Sequence, residues 1–249
     1  WKTDLSIFAK AIYHLSDQWD AFADVQYRHV GFRTDGYNDK FVKDANGLYQ
    51  AQPLDINQTY DFLNPKAGIS WRKDGHRAYA SYAMSSREPE RNNFTDNGQS
   101  GAPRAERLHD VEVGYSYDAK NWYVSAGLYY MGYKDQLVQT GQLSDIGEAL
   151  TTNISDSYRM GLEVSAGYTP FKWLSLDVNG AFSRNRILDF DEYVSHNWDE
   201  YFVVKHYDNS TLAFSPSVVL NGMATFRFGD FKAVWHTNFV SRQYLDNTQ

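Results

Sequence analysis

The sequence predicts an all-β fold and, within that class, a transmembrane antiparallel β-barrel. Three observations carry the prediction. Apolar and polar residues alternate with a period of two along most of the chain, which sends successive side chains to opposite faces of an extended strand. Connections alternate strictly between tight turns and long polar loops. Aromatic residues crowd beside the tight turns.

The alternation is clearest from Leu108 to Asp118, where Val111, Val113, Tyr115 and Tyr117 interleave with Asp110, Glu112, Gly114 and Ser116. It recurs from Tyr158 to Tyr168, where Met160, Leu162, Val164 and Ala166 interleave with Arg159, Gly161, Glu163 and Ser165. Leu174, Leu176, Val178 and Phe182 follow the same rule, as do Val218, Leu220, Ala224, Phe226 and Phe228. One face is apolar and the other is polar or very small. Read in this way throughout, the chain gives about ten strands, near 3–14, 19–33, 62–73, 76–85, 105–118, 121–134, 154–169, 172–188, 214–229 and 231–245. Many exceed the usual five or six residues.

Tight turns fall at Ser16-Asp17, Lys73-Asp74-Gly75, Ala119-Lys120, Pro170-Phe171 and Gly229-Asp230, with long loops near 34–61, 86–104, 135–153 and 189–213. Soluble sandwiches and propellers usually have short connections at both ends. Outer-membrane barrels have short turns at one end, long loops at the other, and an outward apolar band between aromatic girdles. Trp19, Trp71, Tyr117, Trp122, Tyr168, Trp173 and Phe228, with Tyr13, Phe171 and Phe231, supply such a girdle, at the headgroup depth that amphipathic rings prefer. The competing soluble sandwich would need a second sheet against each apolar face. A barrel closed around a polar interior uses both faces as they stand.

Composition narrows the function. The chain has 249 residues with 24 Lys and Arg against 31 Asp and Glu, a formal charge of −7, which argues against nucleic acid as a partner. Aromatic residues make up 16% of it, too many for a disordered chain. Mean hydropathy is −0.60, and no run of 18 apolar residues occurs, so a membrane would be crossed by strands and not by a helix. Without cysteine there is neither a disulfide framework nor a thiol nucleophile. Neither end has the character of a natural terminus, so a fragment of a longer protein is expected.

Several runs together resemble TonB-dependent outer-membrane receptors. They are Leu63-Asn64-Pro65-Lys66-Ala67-Gly68-Ile69, Ala78-Tyr79-Ala80-Ser81-Tyr82-Ala83 and Ser86-Arg87-Glu88-Pro89, then Ala105-Glu106-Arg107-Leu108 with Val111-Glu112-Val113-Gly114-Tyr115. Tyr129-Tyr130-Met131-Gly132-Tyr133-Lys134-Asp135-Gln136-Leu137-Val138 and Asp156-Ser157-Tyr158-Arg159-Met160-Gly161-Leu162-Glu163 complete the series in that family's order. The resemblance covers essentially the whole chain. It implies that residues 1–249 are part of a single 22-stranded barrel domain, strands twelve to twenty-one by this count. The N-terminal plug, the first half of the barrel and the closing strand would lie outside it.

The resemblance further implies an outer-membrane location in a Gram-negative bacterium. It also implies active uptake of a scarce ligand such as a ferric siderophore or other iron complex. Energy would come from the TonB–ExbB–ExbD complex through the plug, and outer-membrane lipids would surround the barrel. On that reading ligand contact is expected from Tyr193, Trp198, Tyr201, Phe202 and Tyr207 in the loop 189–213, whose rings could stack on a flat ligand. A lumen- and plug-facing set is expected from Arg77, Asp110, Glu112, Arg159, Glu163 and Arg227, with Arg28, Asp177, Asn179 and Asn221 on the same wall. Charges of the Arg87-Glu88-Pro89-Glu90-Arg91 run are expected to form ion pairs at the rim, and 140–143 and 145–147 read as hairpin turns. No cofactor is expected. His196 and His206 with Asp199 or Asp208 have ligand chemistry but match no metal-binding spacing, so no metal site is expected. No Gly-x-Ser-x-Gly or His-Glu-x-x-His run occurs, and His109 and Asp110 point to opposite faces; an enzyme is not expected. A passive porin-like channel and a barrel-anchored adhesin or assembly component are the rivals.

Overall fold

The computed structural model describes residues 1–44, 46–95, 102–143, 149–195 and 202–249, with side chains described there except at 38–40, 42–43, 141–143, 149, 193, 195 and 202. Its strands are β1 (Lys2–His14), β2 (Trp19–Lys43), β3 (Tyr49–Lys73), β4 (His76–Arg87), β5 (Glu106–Asp118) and β6 (Trp122–Leu143). After them come β7 (Ala149–Phe171), β8 (Leu174–Ser195), β9 (Phe202–Thr211), β10 (Val218–Phe228) and β11 (Phe231–Val240), and among the described residues one short helix, α1 (Arg91–Thr95), lies between β4 and β5. All strands form one antiparallel sheet in chain order, except that β9 lies beside the path and pairs with β8.

The register turns the sequence alternation into two chemically distinct faces. Directly paired residues share a face. The chain Arg77–Ser116–Ser125–Ser165–Asn179–Asn221 runs across six strands through direct pairs. Two residues further along each strand, Tyr79–Gly114–Gly127–Glu163–Ala181 run on the same face. The other face carries Tyr82–Val111–Tyr130–Met160 and Ala80–Val113–Leu128–Leu162–Phe182. One cavity of about 720 Å³ reaches from β3 to β10, and Arg77, Ser116, Ser125, Glu163, Asn179 and Asn221 of the polar face help to line it. The sheet therefore curls with its polar face inward.

Burial is inverted relative to a water-soluble protein. Leu128 is 60% exposed, Val113 51% and Trp235 71%, while Asp110 and Glu112 on the inner face are half-buried. A continuous apolar band of this extent marks a surface that another phase covers.

At the end with tight turns, rings touch from strand to strand across the apolar face. Trp19 and Trp71 lie 6.4 Å apart, His76 and Tyr117 4.3 Å, Tyr117 and Trp122 5.0 Å, and Trp173 stacks on both Phe171 at 5.3 Å and Phe228 at 5.4 Å.

The structure departs from the sequence expectation chiefly at the other end. Within the stretches 34–61, 135–153 and 189–213, residues 34–43, 49–61, 135–143, 149–153, 189–195 and 202–211 are not loop but extensions of β2–β3, β6–β7 and β8–β9, paired as far as Lys43–Tyr49, Leu143–Ala149 and Ser195–Phe202. Residues 140–143 are accordingly strand, and 145–147 lie outside the described residues. β7 continues through Pro170-Phe171, so that turn falls at Lys172-Trp173. The ninth strand of the path, β10, begins at Val218 and the last, β11, ends at Val240. In these upper segments charged and apolar residues mix without strict alternation.

Candidate functional site

The ten residues expected on one wall do share a face. Arg77, Asp110, Glu112, Arg159, Glu163, Asp177, Asn179 and Asn221 follow from the pairs above and their odd or even neighbours, and Arg28 and Arg227 fall in step through β2–β3 and β8–β10. Their partners differ sharply by depth. Near the tight turns the polar groups satisfy one another. Arg77 Nη2 lies 2.6 Å from Asp118, Arg227 donates to Ser175 at 3.2 Å, Tyr123 to Asp177 at 3.3 Å, and Asn221 to Asn179 at 2.9 Å.

Halfway up, the charges lack partners. Among the described residues Asp110, Glu112 and Glu163 have no ion pair, and Asp110 Oδ1 and Arg159 Nε are buried without a hydrogen bond. The Arg159 guanidinium lies over the Tyr133 ring, 5.8 Å from its centroid. Glu112, Glu163, Arg159, Tyr79 and Tyr129 line one open cavity of about 360 Å³, which Phe214, Ser215 and Pro216 also border. Buried polar atoms are normally satisfied, so this belt is suited to receive another polar surface.

Four glycines shape the inner wall, a feature that strand periodicity alone does not show. Tyr79 faces Gly114, Tyr129 faces Gly161, Tyr123 faces Gly167 and Phe22 faces Gly68, each as a direct cross-strand pair. In every case the ring lies where a Cβ would be: a methyl at Gly114 would come within 2.1 Å of Tyr79 and one at Gly167 within 2.1 Å of Tyr123. The rings lie flat along the wall instead of filling the space inside it.

Above the belt, the connections fold inward. Glu88, 7% exposed, crosses β3 to reach Arg28 at 2.7 and 2.9 Å and Lys2 at 2.7 Å, and Arg28 also grips Asp4 at 2.6 and 3.0 Å. Arg87 pairs with Glu106 at 2.9 Å. From α1, Phe94 packs on Phe32 at 5.9 Å and Asn93 donates to Thr151 of β7 at 3.2 Å. On the far side Val138, Ile154, Ile187, Phe190 and Leu212 form an apolar cluster with Tyr207 against it, each buried side chain contributing roughly 1.5–3 kcal/mol.

Of the five aromatic residues expected to meet a ligand, Trp198 and Tyr201 lie outside the described residues, and Tyr193 and Phe202 are placed in β8 and β9 by backbone alone. Tyr207 is half-buried, packs on Phe190 at 6.4 Å and donates to Glu192 at 2.9 Å; that hydrogen bond holds its hydroxyl pKa above the ordinary value. Of the histidine–aspartate combinations, His196 and Asp199 are outside the described residues. His206 Nδ1 lies 2.8 Å from Asp191 and 3.6 Å from Asp189, and its Nε2 lies 3.1 Å from Asp208. All four side chains are exposed, and hydrogen bonds to Asp191 first and Asp208 second raise the imidazole pKa. Asp189, Asp191 and His206 could each turn a ligand atom to a cation, but their mutual hydrogen bonds already account for the arrangement.

An inward-curled polar wall, an outward apolar band and a turn-end aromatic belt are thus joined in one meander. The sequence model described as "TonB dependent receptor-like, beta-barrel" matches residues 2–249. The chain belongs to the TonB-dependent receptor family. Receptors of this family are outer-membrane transport proteins of Gram-negative bacteria and not enzymes. Among solved structures, the copper transporter OprC superposes with a TM-score of 0.77 at 14% identity, over 98% of this chain and 36% of its own. The siderophore receptor PiuA from Acinetobacter baumannii gives 0.71 at 13%, over 100% and 35%. The ferric yersiniabactin uptake receptor FyuA from Yersinia pestis gives 0.67 at 17%, over 99% and 35%. The chain thus spans about a third of the length of these TonB-dependent receptors. No curated protein sequence matches it.

Proposed function

We propose that this chain is the carboxy-terminal part of the barrel of an outer-membrane receptor that actively takes up a scarce ligand, a ferric siderophore or other iron complex. The single observation that carries the reading is the belt of charges without an ion pair among the described residues on the inner wall, Asp110, Glu112, Arg159 and Glu163, in which Asp110 Oδ1 and Arg159 Nε are buried without a hydrogen bond. An open channel would hydrate such a belt. A plug would pair with it, and a plug is what couples a receptor to the TonB–ExbB–ExbD complex. On this reading Arg77 and Arg227 brace the lower wall, the aromatic residues Tyr193, Trp198, Tyr201, Phe202 and Tyr207 of the sequence stretch 189–213 meet the ligand, and outer-membrane lipids cover the apolar band. The iron and siderophore proteins among the structural neighbours support the choice of cargo.

Uptake of iron-55 ferric siderophores by cells carrying the full-length receptor tests this. Accumulation that disappears in a TonB-deficient strain is expected. Accumulation that persists without TonB would establish a passive channel, and surface binding without accumulation an adhesin. A double-mutant cycle between Glu163 and plug residues addresses the belt separately: coupling energies near zero would leave these charges as lumen solvation only.

A further inference from the structure

β9 and β10 are two parts of one interrupted strand. Both pair antiparallel with the same edge of β8, where Arg186 faces Thr211 and Phe182 faces Val218, so the three residues 183–185 of β8 are matched by the six residues 212–217 of its partner. The surplus leaves the ladder at 212–217. Phe214 takes φ +53°, a left-handed conformation that a bulky residue adopts only when its surroundings impose it. An interruption of this kind gives up ladder hydrogen bonds and re-aims a side chain. Here the side chain is Phe214, 56% exposed, and it borders the cavity that Arg159 and Glu163 line.

What imposes the conformation is a second segment, 241–249, which leaves β11 and crosses above β8 and β7. Phe214 N–H donates to the Tyr244 carbonyl at 2.8 Å. Asn247, 3% exposed, accepts from Ala213 N–H at 2.8 Å and donates to the Gln139 carbonyl on β6 at 2.9 Å. From the β8 side, Ser183 Oγ donates to the Pro216 carbonyl at 3.1 Å, and Leu212 N–H to the Asn185 carbonyl at 3.2 Å. Leu212 also belongs to the apolar cluster. The excursion is therefore clamped along both of its edges.

We propose that segment 241–249 is a strap that holds 212–217 over the inner face, so that the Phe214 ring sets the width of the passage on this side of the barrel and Asn247 is its positioning residue. Asn247 suits the role because one side chain supplies both an acceptor and a donor and joins two segments 108 residues apart. The inference rests on the barrel assignment and not on the identity of the cargo.

Thiol labelling of the full-length receptor in intact cells tests it. Met131→Cys places a thiol in the cavity beside Phe214; residues 1–249 contain no cysteine, and any cysteine elsewhere in the receptor is replaced by serine in the labelling background. The rate of reaction with a bulky, membrane-impermeant maleimide is then compared among variants. Asn247→Ala removes two hydrogen bonds, which corresponds to about a tenfold larger open population, and labelling should quicken by that factor. Phe214→Ala should also quicken it, and Phe214→Trp should slow it. The Phe214 variants keep every hydrogen bond of the excursion, and a slowed rate is not a symptom of misfolding. Equal rates at Phe, Ala and Trp would overturn the role of the ring. A normal rate in Asn247→Ala would overturn the strap.

Discussion

Tyr79 lies flat across Gly114, its direct partner on the neighbouring strand, so closely that a Cβ on the glycine would come within 2.1 Å of the ring. The same relationship joins Tyr129 to Gly161 and Tyr123 to Gly167. Each glycine provides the space in which the neighbouring tyrosine lies along the wall, leaving the interior open above it.

Gly114→Ala should therefore act through Tyr79 and not through backbone freedom, since Gly114 does not have the left-handed φ found at Gly75 or Gly229. The ring must swing into the interior, at a cost of about 1–3 kcal/mol. The temperature at which the folded, fast-migrating band of the full-length receptor is lost on electrophoresis should fall. Combining Gly114→Ala with Tyr79→Ala should restore much of the loss. An unchanged transition in the single variant would show that the ring has room to move.

The two faces make opposite predictions for one substitution. Leu128 lies mid-strand on the apolar face, 60% exposed, and Leu128→Arg should cost about 2–4 kcal/mol if that face meets hydrocarbon. Ser81, paired with Gly68 and Glu112 on the inner face, should tolerate arginine with little effect. Assembly of the two variants into the outer membrane decides it: equal yields would mean that the apolar band is not in lipid.

The faces were legible because a period of two survives any error in strand length. Asp110 and Glu163 could be assigned to one wall from parity alone. The register was not legible, so nothing in the sequence placed Tyr79 on Gly114 or Tyr123 on Gly167. The upper hairpins were read as loops because stretches such as Gln136-Leu137-Val138-Gln139 and Asp189-Phe190-Asp191-Glu192 break the alternation, although the ladder continues through them. Phe214 was read as the start of a strand, and only the β8 register shows that it belongs to an excursion. Glu88 was read as a rim charge, whereas its partner Arg28 lies 60 residues away, a distance that no local pattern encodes.

His206 gives the β8–β9 hairpin a defined pH response. Hydrogen bonds to Asp191 and then Asp208 raise its pKa in the folded state. A raised folded pKa means that the stabilisation is fully present below the unfolded value, near 6.5, and is lost as pH rises through the folded one. Amide exchange across 186–211, corrected for its intrinsic base dependence, should be slower at about pH 6 than at about pH 9. Asp191→Asn should flatten the difference. A hairpin equally protected at both pH values in the parent protein would mean that the imidazole contributes nothing to it.

Glu88 makes the most demanding prediction. Its carboxylate is enclosed and accepts two hydrogen bonds from Arg28 and one from Lys2, while Arg28 is held from its other side by Asp4. Glu88→Gln keeps the shape but removes the charge and turns an amide N–H₂ toward the existing donors. Breaking a fully buried pair costs about 3–5 kcal/mol and an exposed one under about 1 kcal/mol. Here the Glu88 side chain is 8% exposed but that of Lys2 is 49%, so about 1–3 kcal/mol is expected. Because Glu88 ties the segment before α1 to β1 and β2, the loss should be local as well as global, with faster amide exchange at 88–95 than elsewhere on the chain. Loss of thermal stability without that local signature would mean that Arg28 and Asp4 secure β1 to β2 by themselves, and that the inward fold of this segment depends on the Phe94–Phe32 contact instead.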